Sequence, residues 1–185
     1  MEFLDIIDKN GEPTGKIVER SEAHRKGIAH RTSHVWLCRK NNGSIQILLQ
    51  KRSNDKDSNP GCYDISSAGH IPAGSGFLDS AIRELSEELG INADKNELIY
   101  CGQRHFLYEN VFYGKKFIDN QTSNVYLLKR DIDAQNINFQ KEEIQSVMWI
   151  DYYECVEKVK NNEIPNCIVL EELNMIGNNL LSLDF

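Results

Sequence analysis

The chain has 185 residues, 40% of them hydrophobic, and a formal net charge of −7. That length can bury a core without staples, and the acidic balance excludes a general nucleic-acid-binding surface. The five cysteines (Cys38, Cys62, Cys101, Cys155, Cys167) are scattered without a Cys-x-x-Cys pair, which fits reduced thiols better than a disulfide framework.

At the N-terminus, Met1 is followed by Glu2 and Asp5, not by a basic region and an apolar stretch, and no later run reaches membrane-spanning length. The expectation is one cytoplasmic domain over 1–185, without a membrane partner. Phe3 to Asp8 is predicted as a strand, Lys9 to Glu12 as a turn and Gly15 to Glu19 as a second strand, so that 1–30 forms an N-terminal hairpin extension. Ser21 is the predicted N-cap of a short helix through Lys26. A strand from Val35 to Arg39 turns at Asn41-Asn42-Gly43 and returns from Ile45 to Gln50, with Lys51 and Arg52 at its exit. A polar loop from Asn54 to Cys62 then turns at Asn59-Pro60-Gly61.

The stretch 69–91 carries the chemistry. A glycine-rich loop at Gly69 and Gly74 leads into a helix starting near Phe77, which Gly90 should end. Leu78, Ala81, Ile82, Leu85 and Leu89 form its apolar stripe. Glu84, Glu87 and Glu88 stand at i, i+3 and i+4, so all three carboxylates leave one face. Such a cluster repels itself in water, and a hard divalent cation reverses that sign. Taken alone, the triplet also reads as a solvated acidic face with Arg83 and Glu87 as a surface pair.

Further on, Leu98 to Leu107 and Phe117 to Leu128 are predicted strands around a loop from Tyr108 to Lys116, with a bulge near Asp119 to Ser123. Tyr108, Phe112, Tyr113 and Phe117 are candidates to stack a base, or simply core. Val147 to Ile150 is a strand with Trp149 buried, and 151–185 holds two helices broken at Pro165. Ile168, Leu170, Leu173, Ile176 and Leu180 should pack on the sheet, with no catalytic part.

The spacing in 69–91 resembles the Nudix hydrolase signature: Gly, five residues, Glu, seven residues, Arg-Glu-apolar, one residue, Glu-Glu, one residue, Gly-apolar. Gly69, Arg83, Glu84, Leu85, Glu87, Glu88, Gly90 and Ile91 are in register, and Ser75 stands where the pattern has its first Glu. The resemblance implies an α/β/α sandwich with a mixed sheet, here with an N-terminal β-hairpin. It implies Mg²⁺, with Mn²⁺ as a substitute, held by Glu84, Glu87, Glu88 and the Ala68 carbonyl, with Arg83 orienting the carboxylates. Lys51 or Arg52 would pair with the substrate diphosphate, and Glu142 and Glu143 stand where such enzymes often place a further carboxylate. The implied partner is a small-molecule diphosphate, the implied reaction hydrolysis of a nucleoside diphosphate linked to another moiety, and a homodimer is compatible.

The opening, with Asp8, Gly11, Gly15 and Arg20-Ser21-Glu22-Ala23-His24, is similar to the Nudix branch that includes the isopentenyl-diphosphate isomerases. Those isomerases carry a catalytic Cys before the Gly-His pair and a Glu in a Glu-Asn-Glu-like run. Here the positions hold Ala68 and Gln121, which offer no proton donor and no carboxylate. His34 and His70 resemble two of the isomerase's metal-binding histidines, while His24 and His30 bracket the third position, Gly27, out of register. Two alternatives to hydrolysis therefore stand: isomerase-like chemistry, and a non-catalytic Nudix nucleotide-binding domain, for which Ser75 is the motive.

Overall fold

The computed structural model describes residues 1–183. Strands β1 (Phe3–Ile7) and β2 (Pro13–Glu19) pair antiparallel as a separate two-stranded sheet. Helix α1 (Arg20–Lys26) follows without a linker. Ser21 does not cap it: the helix starts at Arg20, whose backbone N–H is already taken by the Glu2 carbonyl at 3.0 Å. A pairing across the hairpin thus replaces the expected side-chain cap.

The larger sheet has seven strands: β3 (His30–Asn41), β4 (Ser44–Arg52), β5 (Tyr63–Asp64), β6 (Ser67–His70), β7 (Leu98–Phe112), β8 (Lys115–Lys129) and β9 (Ile144–Asp151). Its central path runs β5-β4-β3-β8-β7, with β6 on β3 and β9 on β4. β3 and β8 are parallel and the other pairs antiparallel, so the sheet is mixed. Helix α2 (Phe77–Leu89) covers one face, meeting Val35, Leu37, Leu48 and Leu128 through Ala81, Leu85 and Leu89. Helices α3 (Tyr152–Lys160) and α4 (Leu170–Leu180) cover the other, where Trp36, Cys38, Ile47, Leu49 and Leu127 meet Cys155, Val159, Leu173, Ile176 and Leu180. Strands buried on both faces read as unbroken apolar runs such as Ile47-Leu48-Leu49, because alternate residues serve opposite cores. The predicted α/β/α layering with its N-terminal hairpin is what forms.

The β7–β8 hairpin departs from expectation. The residues expected to form a loop from Tyr108 to Lys116 mostly extend the two strands, and the connection is only Tyr113-Gly114, at φ 49° and 74°. Two successive positive φ values match the right-handed twist of the flanking strands, so a two-residue turn suffices. The register irregularity lies between Tyr100 and Gly102, not at Asp119 to Ser123. Trp149 is half-buried, with its indole N–H on the Ile132 carbonyl at 2.9 Å and the Arg39 guanidinium 4.4 Å from its ring. All five cysteines are unbonded thiols. No described helix is long and apolar enough to cross a membrane.

Two elements are tied to the central loop by one buried ion pair. Arg31 on β3 bonds Asp5 of β1 at 2.8 Å and the Ser75 carbonyl at 2.9 Å, and Asp5 also accepts the Gly74 N–H at 2.9 Å. The hairpin thereby fixes the loop that delivers α2.

Gly177 on α4 offers a test of the packing beneath this sheet. A helix favours Ala over Gly by about 1 kcal/mol. A Cβ there, however, would overlap the Tyr152 hydroxyl, which donates to the Leu173 carbonyl at 3.1 Å. Overpacking and the lost bond outweigh the propensity gain, so Gly177→Ala should lower unfolding free energy by about 1–3 kcal/mol in urea titration. A variant at least as stable as the parent would show that Tyr152 has room to move.

Candidate active site

β3 and β4 pair only where Cys38–Asn41 meets Ser44–Ile47. Beyond that point they diverge, β6 taking Thr32–Val35 of β3 and β5 taking Gln50 and Lys51 of β4. The divergence leaves the Leu37 N–H and the Leu48 carbonyl without strand partners across the gap. Ser66 serves both, its hydroxyl accepting from Leu37 N–H at 2.8 Å and donating to the Leu48 carbonyl at 2.6 Å. β6 can then run beside α2, and Gly69 faces Glu84 so closely that a Cβ would overlap the carboxylate. The result is a cleft of about 660 Å³, with Ala68, Gly69, Glu84, Glu87 and Glu88 in its lining on one side and Glu172 of α4 on the other.

Within the cleft the signature residues converge. Glu88 is 8% exposed and accepts the Ala68 N–H at 3.2 Å. Burial pushes its carboxyl up to about 7, the Ser67 and Ala68 hydrogen bonds opposing and Glu84 adding to the rise. Burial also raises Glu84, against the pull of Arg83. Arg83 bonds Glu84 at 2.6 Å, Glu87 at 2.7 Å and the His70 carbonyl at 3.2 Å, so it holds the carboxylates as a bracket. Gly90 ends the helix at φ 64°. A buried carboxyl and a half-buried one, both raised by desolvation, beside a third and a glycine cradle, form a hard oxygen donor set that fits a divalent cation. Ser75 lies outside the cleft lining and is held by its backbone, so Arg83 here relies on Glu84 and Glu87.

The expected cations divide. Arg52 lines the cleft, bonded to Asp64 at 3.1 Å and to the Ser58 carbonyl at 3.0 Å. Lys51 lies outside that lining, its ammonium 6.0 Å from the Tyr63 ring centroid, because the β4 alternation turns it away from Arg52. Lys56, which sequence reasoning did not single out, lines the cleft and is paired with Glu143. Glu143 therefore reaches the site, whereas Glu142 is exposed and outside the lining. Of the aromatic residues, Tyr108 and Phe117 line the cleft with Phe106; Phe112 and Tyr113 do not.

The histidines sort differently from their spacing. His24, His30 and His70 converge, with all three ligand atoms within 4.8 Å of one another, and could hold a metal ion. His24 and His70 meet Nε2 to Nε2 at 3.0 Å, and His30 bonds the Ile28 carbonyl through Nδ1 at 2.9 Å. Burial lowers His24 and His70, so both imidazoles are neutral at pH 7. Asp119 lies 3.5 Å from His30 Nε2. His34 is not part of this group: it bonds the buried carboxylate of Glu172 at 3.0 Å. His24 from α1 and His30 from the start of β3 join His70, so two histidines out of register in the sequence supply the group and His34 does not. Glu172, and Arg104 beside it at 3.0 Å, were also missed, since an acidic residue in an apolar helix pattern carries no signal of its partners.

Comparison with known proteins agrees with this geometry. The NUDIX domain model matches residues 29–168. The chain belongs to the Nudix family. It is 45% identical over 157 residues to Nudix hydrolase 3 of Arabidopsis thaliana, covering 83% of this chain and 20% of that protein. An uncharacterised Nudix hydrolase of Clostridium acetobutylicum is 34% identical over 160 residues, 86% of this chain and 75% of the other. An isopentenyl-diphosphate Delta-isomerase of Dinoroseobacter shibae is more distant, at 27% over 154 residues, 83% of this chain and 80% of its own. The chain thus spans only about a fifth of the Arabidopsis protein. Among solved structures, DR0079 from Deinococcus radiodurans superposes with a TM-score of 0.70 at 19% identity, covering 94% of this chain and 98% of that one. The NUDIX domain of Shewanella oneidensis NrtR, solved with ADP ribose, gives 0.59 at 13%, with 88% and 99% covered. At these identities the structural likeness is one of fold.

The raised Glu88 predicts a pH signature in metal-free protein. Between pH 4.5 and 7 the folded state holds a proton that the unfolded state releases, so stability falls across that window and then levels. The loss is roughly 3 kcal/mol at pH 8. In EDTA, Glu88→Gln should therefore melt higher than the parent at pH 8 and level with it near pH 4.5. Equal melting at both pH values would mean that Glu88 is not desolvated.

Proposed function

We propose that the protein is a Mg²⁺-dependent hydrolase of the diphosphate bridge in a nucleoside diphosphate linked to another moiety, with Mn²⁺ as a substitute metal. The observation that carries this reading is the packing of Glu84 against Gly69 and the burial of Glu88 beside Ala68, all in the lining of the cleft. Glu84, Glu87, Glu88 and the Ala68 carbonyl would hold the ion. When bound, such an ion supplies charge neutralisation at the diphosphate and a water acidic enough to attack near neutral pH.

The rest falls to this chain's side chains. Arg83 keeps Glu84 and Glu87 turned to one place, so binding does not have to order them first. Arg52 and Lys56, each already paired with a carboxylate, would present positive charge to the diphosphate oxygens from the cleft lining. Glu143, in the lining and paired with Lys56, would serve as the further carboxylate, as metal ligand or as base toward an attacking water. Phe106 and Tyr108, stacked at 6.0 Å, offer an apolar face to a planar group. The substrate is a small molecule and not nucleic acid, in keeping with the net charge of −7, and the five unbonded thiols suit the reducing cytoplasm.

The relatives named as Nudix hydrolases support hydrolysis over isomerisation. So does the site itself, since Ala68 and Gln121, both in the cleft lining, can neither give nor take a proton as the isomerase requires. The non-catalytic reading is weakened because Ser75 stands apart from the cleft and Arg83 has its partners without it.

The test is nucleotide and phosphate release from nucleoside diphosphate derivatives, dinucleotides, nucleotide sugars and isopentenyl diphosphate, with and without Mg²⁺. Metal-dependent cleavage of one class is expected, and Glu88→Gln should remove at least a thousandfold of the rate. Turnover unchanged by that substitution would sink the assignment. Gly69→Ala should cost about a hundredfold in kcat/KM, because its Cβ displaces Glu84 from the donor set; this is measured on the same substrate, with circular dichroism confirming the fold.

A further inference from the structure

Arg104 on β7 is 4% exposed and lines the cleft. Its Nη1 donates to the Glu172 carboxylate at 3.0 Å, and its guanidinium carbon lies 4.7 Å from the Phe106 ring centroid. Nε and Nη2 are buried without a hydrogen-bond partner. Those two nitrogens share the edge of the guanidinium turned away from Cδ, and their N–H bonds run parallel. That edge is the fork that matches two oxygens of a carboxylate or phosphate.

Glu172 cannot turn to satisfy it. The same carboxylate, 2% exposed, also accepts the Trp36 indole N–H at 2.8 Å and His34 Nδ1 at 3.0 Å. Its negative charge is divided among three donors, so Arg104 has a single-point ion pair where a buried guanidinium ordinarily has two parallel bonds. Glu172, itself fixed by Trp36 and His34, and the Phe106 ring leave the side chain little freedom. A cation held this firmly with its binding edge unused is a preformed oxyanion site.

Its position says which part of a substrate would reach it. Arg104 pairs with Ser123, Ser123 with Thr32 and Thr32 with His70, a row across four strands. Three strand spacings separate the backbone of Arg104 from that of His70, about 14 Å. The acidic donor set lies at the His70 end, beside Ala68 and Gly69. From there the guanidinium reaches across to Glu172 and packs on Phe106, which stacks on Tyr108, so its free edge adjoins the aromatic wall of the cleft, where the part of a substrate beyond the diphosphate would lie.

We propose that Arg104 is a specificity-determining residue that binds an oxyanion, a carboxylate or a phosphate, on the substrate moiety distal to the cleaved diphosphate, and that Glu172 is its positioning residue. This rests on the diphosphate-hydrolase reading, and it narrows that reading to substrates carrying a second anionic group.

The experiment uses two matched pairs, UDP-glucuronate with UDP-glucose and NADP with NAD, titrated calorimetrically in Ca²⁺ to hold them uncleaved. The anionic member of at least one pair should bind about tenfold more tightly to the parent protein. A preference in the first pair identifies a carboxylate, in the second a phosphate. Arg104→Lys keeps a charge for Glu172 but lacks the fork, and should bring the ratio close to one. In parallel, the Arg104 Nε–H resonance should shift saturably with acetate or inorganic phosphate, a readout that needs neither turnover nor a folded variant. Equal affinities within both pairs, a preference that survives Arg104→Lys, or an Nε–H signal unmoved by both anions would each overturn the inference. Efficient Mg²⁺-dependent cleavage without anion preference would refute this site alone; absence of cleavage from every diphosphate would refute the proposed function instead.

Discussion

The site depends on a sheet that comes apart. Two antiparallel neighbours that stayed paired from Cys38 to the end of β3 would leave no room for β6 or for the carboxylates that reach it. Separation exposes backbone groups in the core, and an unpaired buried N–H or carbonyl costs about 1–3 kcal/mol. One hydroxyl, Ser66, answers both groups, so the split is stable without water. The geometry of the cleft follows from that allowance: Gly69 close to α2, Ala68 beside Glu88, and a cleft reached from both helical layers.

That arrangement works against stability at its centre. Glu84 and Glu88 are carboxyls taken out of water next to one another, and burial raises both. The protein offsets part of this with Arg83 and with backbone donors, but leaves the rest uncompensated. A donor set that is strained when empty gains more when a divalent cation arrives, because the ion removes a penalty as well as adding bonds. On the proposed reading, affinity for metal and loss of stability without it would be two consequences of one desolvation.

Sequence patterning reached the layers and the acidic helix because both rest on local periodicity. The stripe Ala81, Leu85 and Leu89 and the stop at Gly90 formed where a 3.6-residue repeat and a left-handed glycine place them. The Tyr113-Gly114 turn was missed because its signal, a left-handed Tyr, contradicts residue preference and is imposed by the long flanking ladder. Strand exit order put Lys51 and Arg52 together, yet alternation sends them apart, and only Arg52 reaches the cleft. His34 was grouped with His70 by likeness of spacing, whereas the three-dimensional partners of His70 are His30 and His24, the latter delivered by a helix whose phase the sequence does not fix to one residue. Arg104 and Glu172 lie 68 positions apart and carry no motif at all.

The Arg104–Glu172 pair also changes how α4 should be understood. Leu173, Ile176 and Leu180 make that helix part of the core, as its periodicity implies. Glu172 adjoins them in sequence but turns into the cleft, where it gathers Trp36 and His34 from β3 and Arg104 from β7. A carboxylate so deeply buried would ordinarily be costly, and three charge-assisted or indole donors make it tolerable only if all are in place. The helix cannot shift without breaking that set, and the set cannot form unless the helix is docked. Packing of the C-terminal layer and orientation of the far wall of the cleft are therefore one equilibrium: whatever loosens α4 also disorders the guanidinium, and a ligand seated on Arg104 would hold α4 to the sheet.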